Sequence, residues 1–218
     1  MIKRALSRFL RRSPWISDLL ALRLLARPES HLHSIGWLRS VRTSLPVDRQ
    51  GGAIPWYTYP AIEFLAARVN RTLAVFEYGS GNSTLWWRQR AGRVVSCEHD
   101  RDWHARMKSQ LPNNAEYLYV ALEPSGEYAR VIHGYSHEFD IVVIDGRDRV
   151  ACARNCLTAL RPGGVIVWDN SDRSEYAEGF ELLMQHGFRR LDFSGLGPIN
   201  AYAWCTSVFY RSDNCFGI

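Results

Sequence analysis

Between residues 72 and 170 the chain alternates short runs of Val, Ile and Phe with stretches of helical pattern, and no other feature restricts its fold as much. The apolar runs are TLAVFEYG, RVVSCEHD, AEYLYVAL, FDIVVIDG and GGVIVWDN. Helical patterns stand among them: STLWWRQRAG up to Gly92, DRDWHARMKSQL and DRVACARNCLTAL. PAIEFLAARVN precedes the set, with Pro60 suited to a first helical turn, and SEYAEGFELLMQHG follows it. Apolar strands interleaved with helices form a parallel sheet covered on both faces. The last two strands, FRRLDF and YAWCTSVFYR, are joined only by SGLGPINA, too little for a crossover helix, so they pair antiparallel. The expected fold is α/β, a doubly wound sheet finished by an antiparallel hairpin.

At 218 residues the chain can build one sizeable core and an appendage. A Gly- and Pro-rich break, SLPVDRQGGAIPWYTYP, divides a helical N-terminal extension, residues 1–50, from a catalytic-looking domain, residues 51–218. The net charge of +5 is unevenly shared. Residues 1–50 hold ten Lys/Arg against three Asp/Glu, and the remainder hold seventeen against nineteen. The basicity therefore belongs to the extension, which argues against a nucleic-acid channel through the core. No window reaches the ~18–20 apolar residues of a membrane span, and the basic start lacks a signal-peptide cleavage site. Residues 1–26 read as two short amphipathic helices split at Ser13-Pro14. Lys3, Arg4, Arg8, Arg11 and Arg12 beside Leu6, Phe9 and Leu10 suit an anionic membrane surface, and equally a helix packed on the domain or a homodimer contact. Five cysteines at no zinc-like spacing, with Cys152 and Cys156 on one helix face, read as buried thiols of a cytoplasmic protein.

The first strand ends in the motif EYGSGNS, Glu77 to Ser83. Its two glycines let the backbone approach a ligand, and the helix starting near Ser83 offers free N–H groups to a carboxylate or phosphate. Twenty-one residues after Glu77 stands Glu98, at the end of the next strand, where a carboxylate can accept both hydroxyls of a ribose. A nicotinamide-binding fingerprint would place a third glycine where Thr84 stands, which disfavours an NAD-dependent oxidoreductase. Glu77, two residues before the first glycine, suits a cationic amino or sulfonium centre instead.

VFEYGSGNST, VVSCEHD, FDIVVIDG, LRPGGVIVWDN and the closing hairpin, across about residues 60–211, resemble the class I S-adenosylmethionine-dependent methyltransferases. The resemblance implies a Rossmann-like seven-stranded sheet of order 3-2-1-4-5-7-6 with strand 7 antiparallel. It also implies S-adenosylmethionine as cofactor, with Glu77, Gly79, Ser80, Gly81 and Ser83 around its methionine part and Glu98 on its ribose. His99 and Asp100 would border the adenine. Many members carry an acid after strand 3, where this chain offers only Ala121.

Asp145 closes the fourth apolar run, and Asp169 and Asn170 close the fifth. In a parallel sheet both ends open onto the crevice of the glycine turn. Two carboxylates and an amide oxygen are hard donors that suit Mg²⁺. The trio resembles the metal site of cation-dependent O-methyltransferases, in which the ion holds two substrate hydroxyls and lowers the pKa of one. Those enzymes carry a basic lysine where Asp148 stands here, and related chains often show His in place of Arg147. Asp145, Asp169 and Asp148 are thus the catalytic candidates. Without a metal, Asp145 and Asp169 would contact the cofactor and cap the following helices.

Trp56 to Pro60 could wall the acceptor pocket or staple the extension to the core. The long hairpin tip could reach over the substrate, and Arg173 could meet an acidic group. Trp86, Trp87 and Trp103 read chiefly as packing, with Trp103 also near the expected adenine. His133 and His137 lie in the loop before the fourth strand, where either could serve in catalysis. The expected function is methyl transfer to a hydroxyl of a small molecule or glycan. The rival reading is a non-catalytic adaptor of the same fold, at a membrane or protein surface.

Overall fold

The computed structural model of the chain describes residues 14–112, 115–123 and 126–218. Three helices come first: α1 (Pro14–Leu25), α2 (His31–Ser34) and α3 (Trp37–Thr43). The basic residues of the first predicted helix, Lys3 to Arg12, lie outside the described residues. Then follow α4 (Tyr59–Ala66), β1 (Ala74–Tyr78), α5 (Asn82–Arg90), β2 (Arg93–Glu98), α6 (Arg101–Lys108), β3 (Glu116–Tyr119) and α7 (Glu127–Arg130). The chain closes with β4 (Phe139–Ile144), α8 (Arg149–Asn155), β5 (Leu160–Asp169), α9 (Ala177–Gln185), β6 (Arg189–Gly195) and β7 (Trp204–Tyr210).

The seven strands form one sheet of order β3-β2-β1-β4-β5-β7-β6, as expected. β1 lies between β2 and β4, parallel to both, while β7 runs antiparallel to β5 and β6. All five residues of β1 are buried. Because side chains alternate along a strand, Phe76 and Tyr78 enter one core layer and Val75 the other. The first layer joins Val142, Ile144, Ile166 and Trp168 to Cys152 of α8 and Phe180 of α9. The second sets Val143, Val167 and Val208 against Trp86, Trp87 and Leu65. Both tryptophans of α5 are therefore core, and all five cysteines are free thiols, four of them buried.

Two segments differ from the sequence reading. A helical turn at α7, continued as a 3₁₀ turn over Val131–Gly134, precedes β4 where a loop is expected, and it buries Tyr128 and Ile132. β5 begins at Leu160, three residues before Gly163. Its pairing with β4 shifts register between Phe139 and Ile141, which accommodates the RPGG stretch.

Candidate active site

β1 stops at Tyr78 because Gly79 turns with φ +86, close against β4's exit. A Cβ there would stand 2.9 Å from the Gly146 backbone, so only glycine permits this approach. At Gly81 a Cβ would meet nothing nearer than Trp103 at 3.9 Å, which leaves open space beside the start of α5.

Beneath this turn Glu77 is fully buried. Its Oε2 accepts hydrogen bonds from Thr84 Oγ1 at 2.5 Å and Ser96 Oγ at 2.7 Å, while Oε1 has no partner. Burial lifts this carboxyl to about 7, against the opposing pull of the Ser83, Thr84 and Ser96 hydroxyls. A buried carboxylate oxygen without a donor is costly unless a ligand supplies one.

Glu98 closes β2 and is also buried. Oε1 accepts from the backbone N–H of His99 at 2.8 Å and of Asp100 at 3.0 Å, and Oε2 from the N–H and hydroxyl of Ser80 at 3.1 and 2.8 Å. Four donors occupy the roughly four lone-pair positions of a carboxylate. Glu98 thus has its acceptor capacity filled, and the Ser80 hydroxyl also lies 2.7 Å from Tyr117 OH. Trp103 Nε1 holds the Ser80 carbonyl at 2.8 Å. His99 is half-buried at the edge of this corner, its ring against Tyr128, and Ser83 is buried at the start of α5.

The second half of the site is a cavity of about 430 Å³ beyond the ends of β4 and β5. Asp145, Asp169, Asn170, Asp172 and Arg173 form its polar side, and Trp56, Tyr202 and Trp204 its aromatic side. The hairpin tip does reach over the pocket, through Asn200 to Trp204. The 56–60 segment lines the cavity and is bound to the closing hairpin. Trp56 lines the cavity, while Thr58 Oγ1 donates to Phe193 O at 2.8 Å and Tyr59 N to Leu196 O at 2.8 Å, fastening the segment to the hairpin.

Asp169 Oδ1 accepts from Trp204 Nε1 at 3.0 Å and Thr206 Oγ1 at 2.5 Å. Its carboxyl is pushed up by burial and by the charge of Asp145, and Asp145 is pushed up by burial and held back by Arg149. Arg149 is a residue that sequence reasoning missed. Buried, it donates from Nη2 to Asp145 Oδ1 at 3.0 Å, from Nε to Gly146 O at 3.0 Å, and from Nη1 to Asp169 O. It therefore ties the ends of β4 and β5 together.

Asp148 is not brought into this cavity. It sits exposed at the start of α8 with φ +49, and that turn directs its neighbour Arg149 inward instead. The expectation that Asp145, Asp169 and Asn170 hold Mg²⁺ also meets an obstacle. The three do line one cavity, but the Arg149 guanidinium already compensates Asp145, so one of the two carboxylates has its cation without a metal. Among the described residues no group of three or more His, Cys, Asp or Glu could hold a metal ion.

Within the 56–60 segment, Tyr57 is the residue whose burial the sequence did not show. It is fully buried, its hydroxyl has no hydrogen-bond partner, and its pKa is raised by burial and then by the charges of Asp145, Glu77 and Asp169. The phenol thus lies in the electrostatic field of all three acids. His133 and His137 are not among the residues lining the cavity.

Residues 76–171 match a family described as a methyltransferase domain. No curated protein matches the chain in sequence. Among solved structures, an rRNA methylase from Streptococcus thermophilus superposes with TM-score 0.54 at 14% identity, over 71% of this chain and 98% of its own. A precorrin-6y C5,15-methyltransferase from Geobacter metallireducens gives TM-score 0.53 at 15% identity, over 70% and 87%. A protein from Streptococcus mutans solved in complex with SAH gives TM-score 0.50 at 12% identity, over 68% and 94%. These likenesses are of fold, whereas the domain match covers the glycine turn, Glu98, Asp145 and Asp169. Sheet order, motif order and matched domain agree: the chain carries a methyltransferase domain over residues 76–171, set on the Rossmann-like fold of the methyltransferases it superposes on.

Proposed function

We propose that the protein transfers a methyl group from S-adenosylmethionine to a hydroxyl of a small molecule or glycan seated in the cavity of Trp56, Asp169 and Tyr202. The observation that carries this reading is the Asp145–Asp169 pair. Two carboxylates share one polar cavity, and burial, then the charge of Asp145, makes Asp169 unusually basic for an acid.

The residues present fit the cofactor. The orphaned Glu77 Oε1 would receive its ammonium, the open side of Gly81 admits its backbone approach, and Glu98 would take its ribose once Ser80 yields. When bound, the cofactor supplies an electrophilic methyl on a sulfonium. The chain's own contribution is to position the acceptor in line with that methyl and to take its proton. Arg149 keeps Asp145 ionised, and that charge raises the basicity of Asp169. Among the described residues no donor occupies Asp169 Oδ2, so this oxygen is the proposed proton acceptor. Exposed aromatic faces at Trp56 and Tyr202, with the amides of Asn170 and Asn200, suit the alternating C–H and O–H surfaces of a polyhydroxylated acceptor.

A panel of sugars, phenols and polyols incubated with methyl-labelled S-adenosylmethionine tests the proposal. Label transfer to a hydroxyl acceptor, abolished in Asp169→Asn, is expected. Transfer to amines alone, or unaltered transfer in that variant, would overturn it.

A further inference from the structure

Helix α1, PWISDLLALRLL, buries none of its twelve residues. Trp15 is 81% exposed, Leu19 66%, Leu22 63% and Leu24 54%. At about 100° per residue, Leu19, Leu20, Leu22, Leu24 and Leu25 point to every side of the helix rather than along one stripe. A helix apolar all round is one that ends surrounded by apolar material, and a contiguous exposed patch of this kind marks a docking surface. Its length of about 18 Å cannot cross a hydrocarbon core of about 30 Å. Among the described residues no helix is long and apolar enough to cross a membrane.

The charge around α1 selects the occupant. Residues 1–27 carry seven Lys or Arg against one acid, Asp18. Arg23 stands in the last turn of α1 and Arg27 just beyond it, both on the rim of the concavity formed by Leu20, Ala21 and Leu24. A second copy of the chain would bring two such positive segments together. An anionic lipid surface neutralises the charge and takes up the apolar side chains that face it.

We propose that α1, with its basic flanks, docks the protein peripherally on anionic phospholipid bilayers. Trp15 and the leucines enter the acyl boundary, while the arginines reach the headgroup phosphates. This surface is separate from the acceptor cavity and does not rest on how the acceptor is read.

The test is co-sedimentation of the full chain with phosphatidylcholine vesicles, with and without phosphatidylglycerol, at low and high salt. Binding to the anionic vesicles is expected to be at least about tenfold stronger, to weaken at high salt, and to vanish in Leu19→Glu/Leu22→Glu. The variant's melting temperature should stay unchanged, because neither side chain is buried. Equal binding to both vesicle types, or to neither, would overturn the proposal. So would a dimer in sedimentation velocity that ignores vesicles and dissociates in the variant, since α1 would then belong to self-association.

Discussion

Thr84 Oγ1 donates to Glu77 Oε2 at 2.5 Å and accepts from the Gly81 amide at 3.1 Å. The residue that stands where a dinucleotide fingerprint has its third glycine is thus the clasp between the acid under the turn and the turn itself. A glycine there would leave the Gly81 N–H unpartnered and remove one of the two donors to Glu77 Oε2. Thr84→Ala should cost about 1–3 kcal/mol of stability, the penalty of orphaning a buried polar group, and Thr84→Ser should recover most of it. Urea unfolding of the three proteins measures both.

Glu77 gives the protein a pH signature. Its carboxyl lies near 7 in the folded chain, against an ordinary value of 4.5. Between those values the native state keeps a proton that the unfolded chain has released. The stabilising contribution is therefore full below about pH 4.5 and is lost as pH rises through about 7. The difference in melting temperature between the natural protein and Glu77→Gln should shift in favour of the variant across that window. A cationic ammonium on Oε1 would reverse the bias toward the neutral acid. Binding of S-adenosylhomocysteine near pH 6.5 should accordingly release up to about one proton, read as a dependence of the binding heat on buffer ionisation enthalpy. Glu77→Gln should abolish the release.

If Glu98 takes the ribose as proposed, Ser80 would compete with the cofactor for it. Its hydroxyl and a ribose hydroxyl call on the same Oε2 lone pair, so removing the side chain removes a bond that binding must break. Ser80→Ala should bind S-adenosylhomocysteine about two- to tenfold more tightly, the equivalent of one net hydrogen bond. Weaker binding would show that Ser80 assists the cofactor rather than competing with it.

Arg149 supplies the cation that compensates Asp145. Chelation with EDTA should leave methyl transfer unchanged, whereas Arg149→Met should destabilise the fold by on the order of 3 kcal/mol. It strands Asp145 without its cation and frees the ends of β4 and β5. Loss of activity on chelation, restored by Mg²⁺, would reinstate the metal.

The Asp145–Asp169 pair should govern the pH–rate profile. Because both carboxyls are raised by burial and Asp169 further by its neighbour, the rate should climb through neutral pH as the pair loses its last proton. That limb should disappear in Asp169→Asn.

The sheet was legible because each central strand is a run of Val, Ile or Phe closed by Gly, Glu or Asp, and those closing residues are the ones that reach the crevice. Glu77, Glu98, Asp145 and Asp169 could be placed in this way, since a strand's end fixes its residue's position. Arg149 could not. In DGRDR four charged residues follow one another, and which of them turns inward depends on the left-handed backbone of Asp148, which tertiary packing decides. Tyr57 was hidden for a related reason. It lies in an irregular segment whose path is set by hydrogen bonds to a hairpin over a hundred residues away, such as that from Thr58 N to Thr206 Oγ1 at 3.1 Å. The helical turns at 127–134 are too short to show a period.

The most direct test is calorimetric titration of the natural chain and of Glu98→Gln with S-adenosylhomocysteine, each checked for an intact fold by circular dichroism. The predicted result is one bound molecule per chain, with affinity reduced at least about tenfold in the variant, as expected for loss of a charge-assisted hydrogen bond. No binding by the natural chain, or equal binding by both, would contradict the assignment of the glycine turn and Glu98 to S-adenosylmethionine.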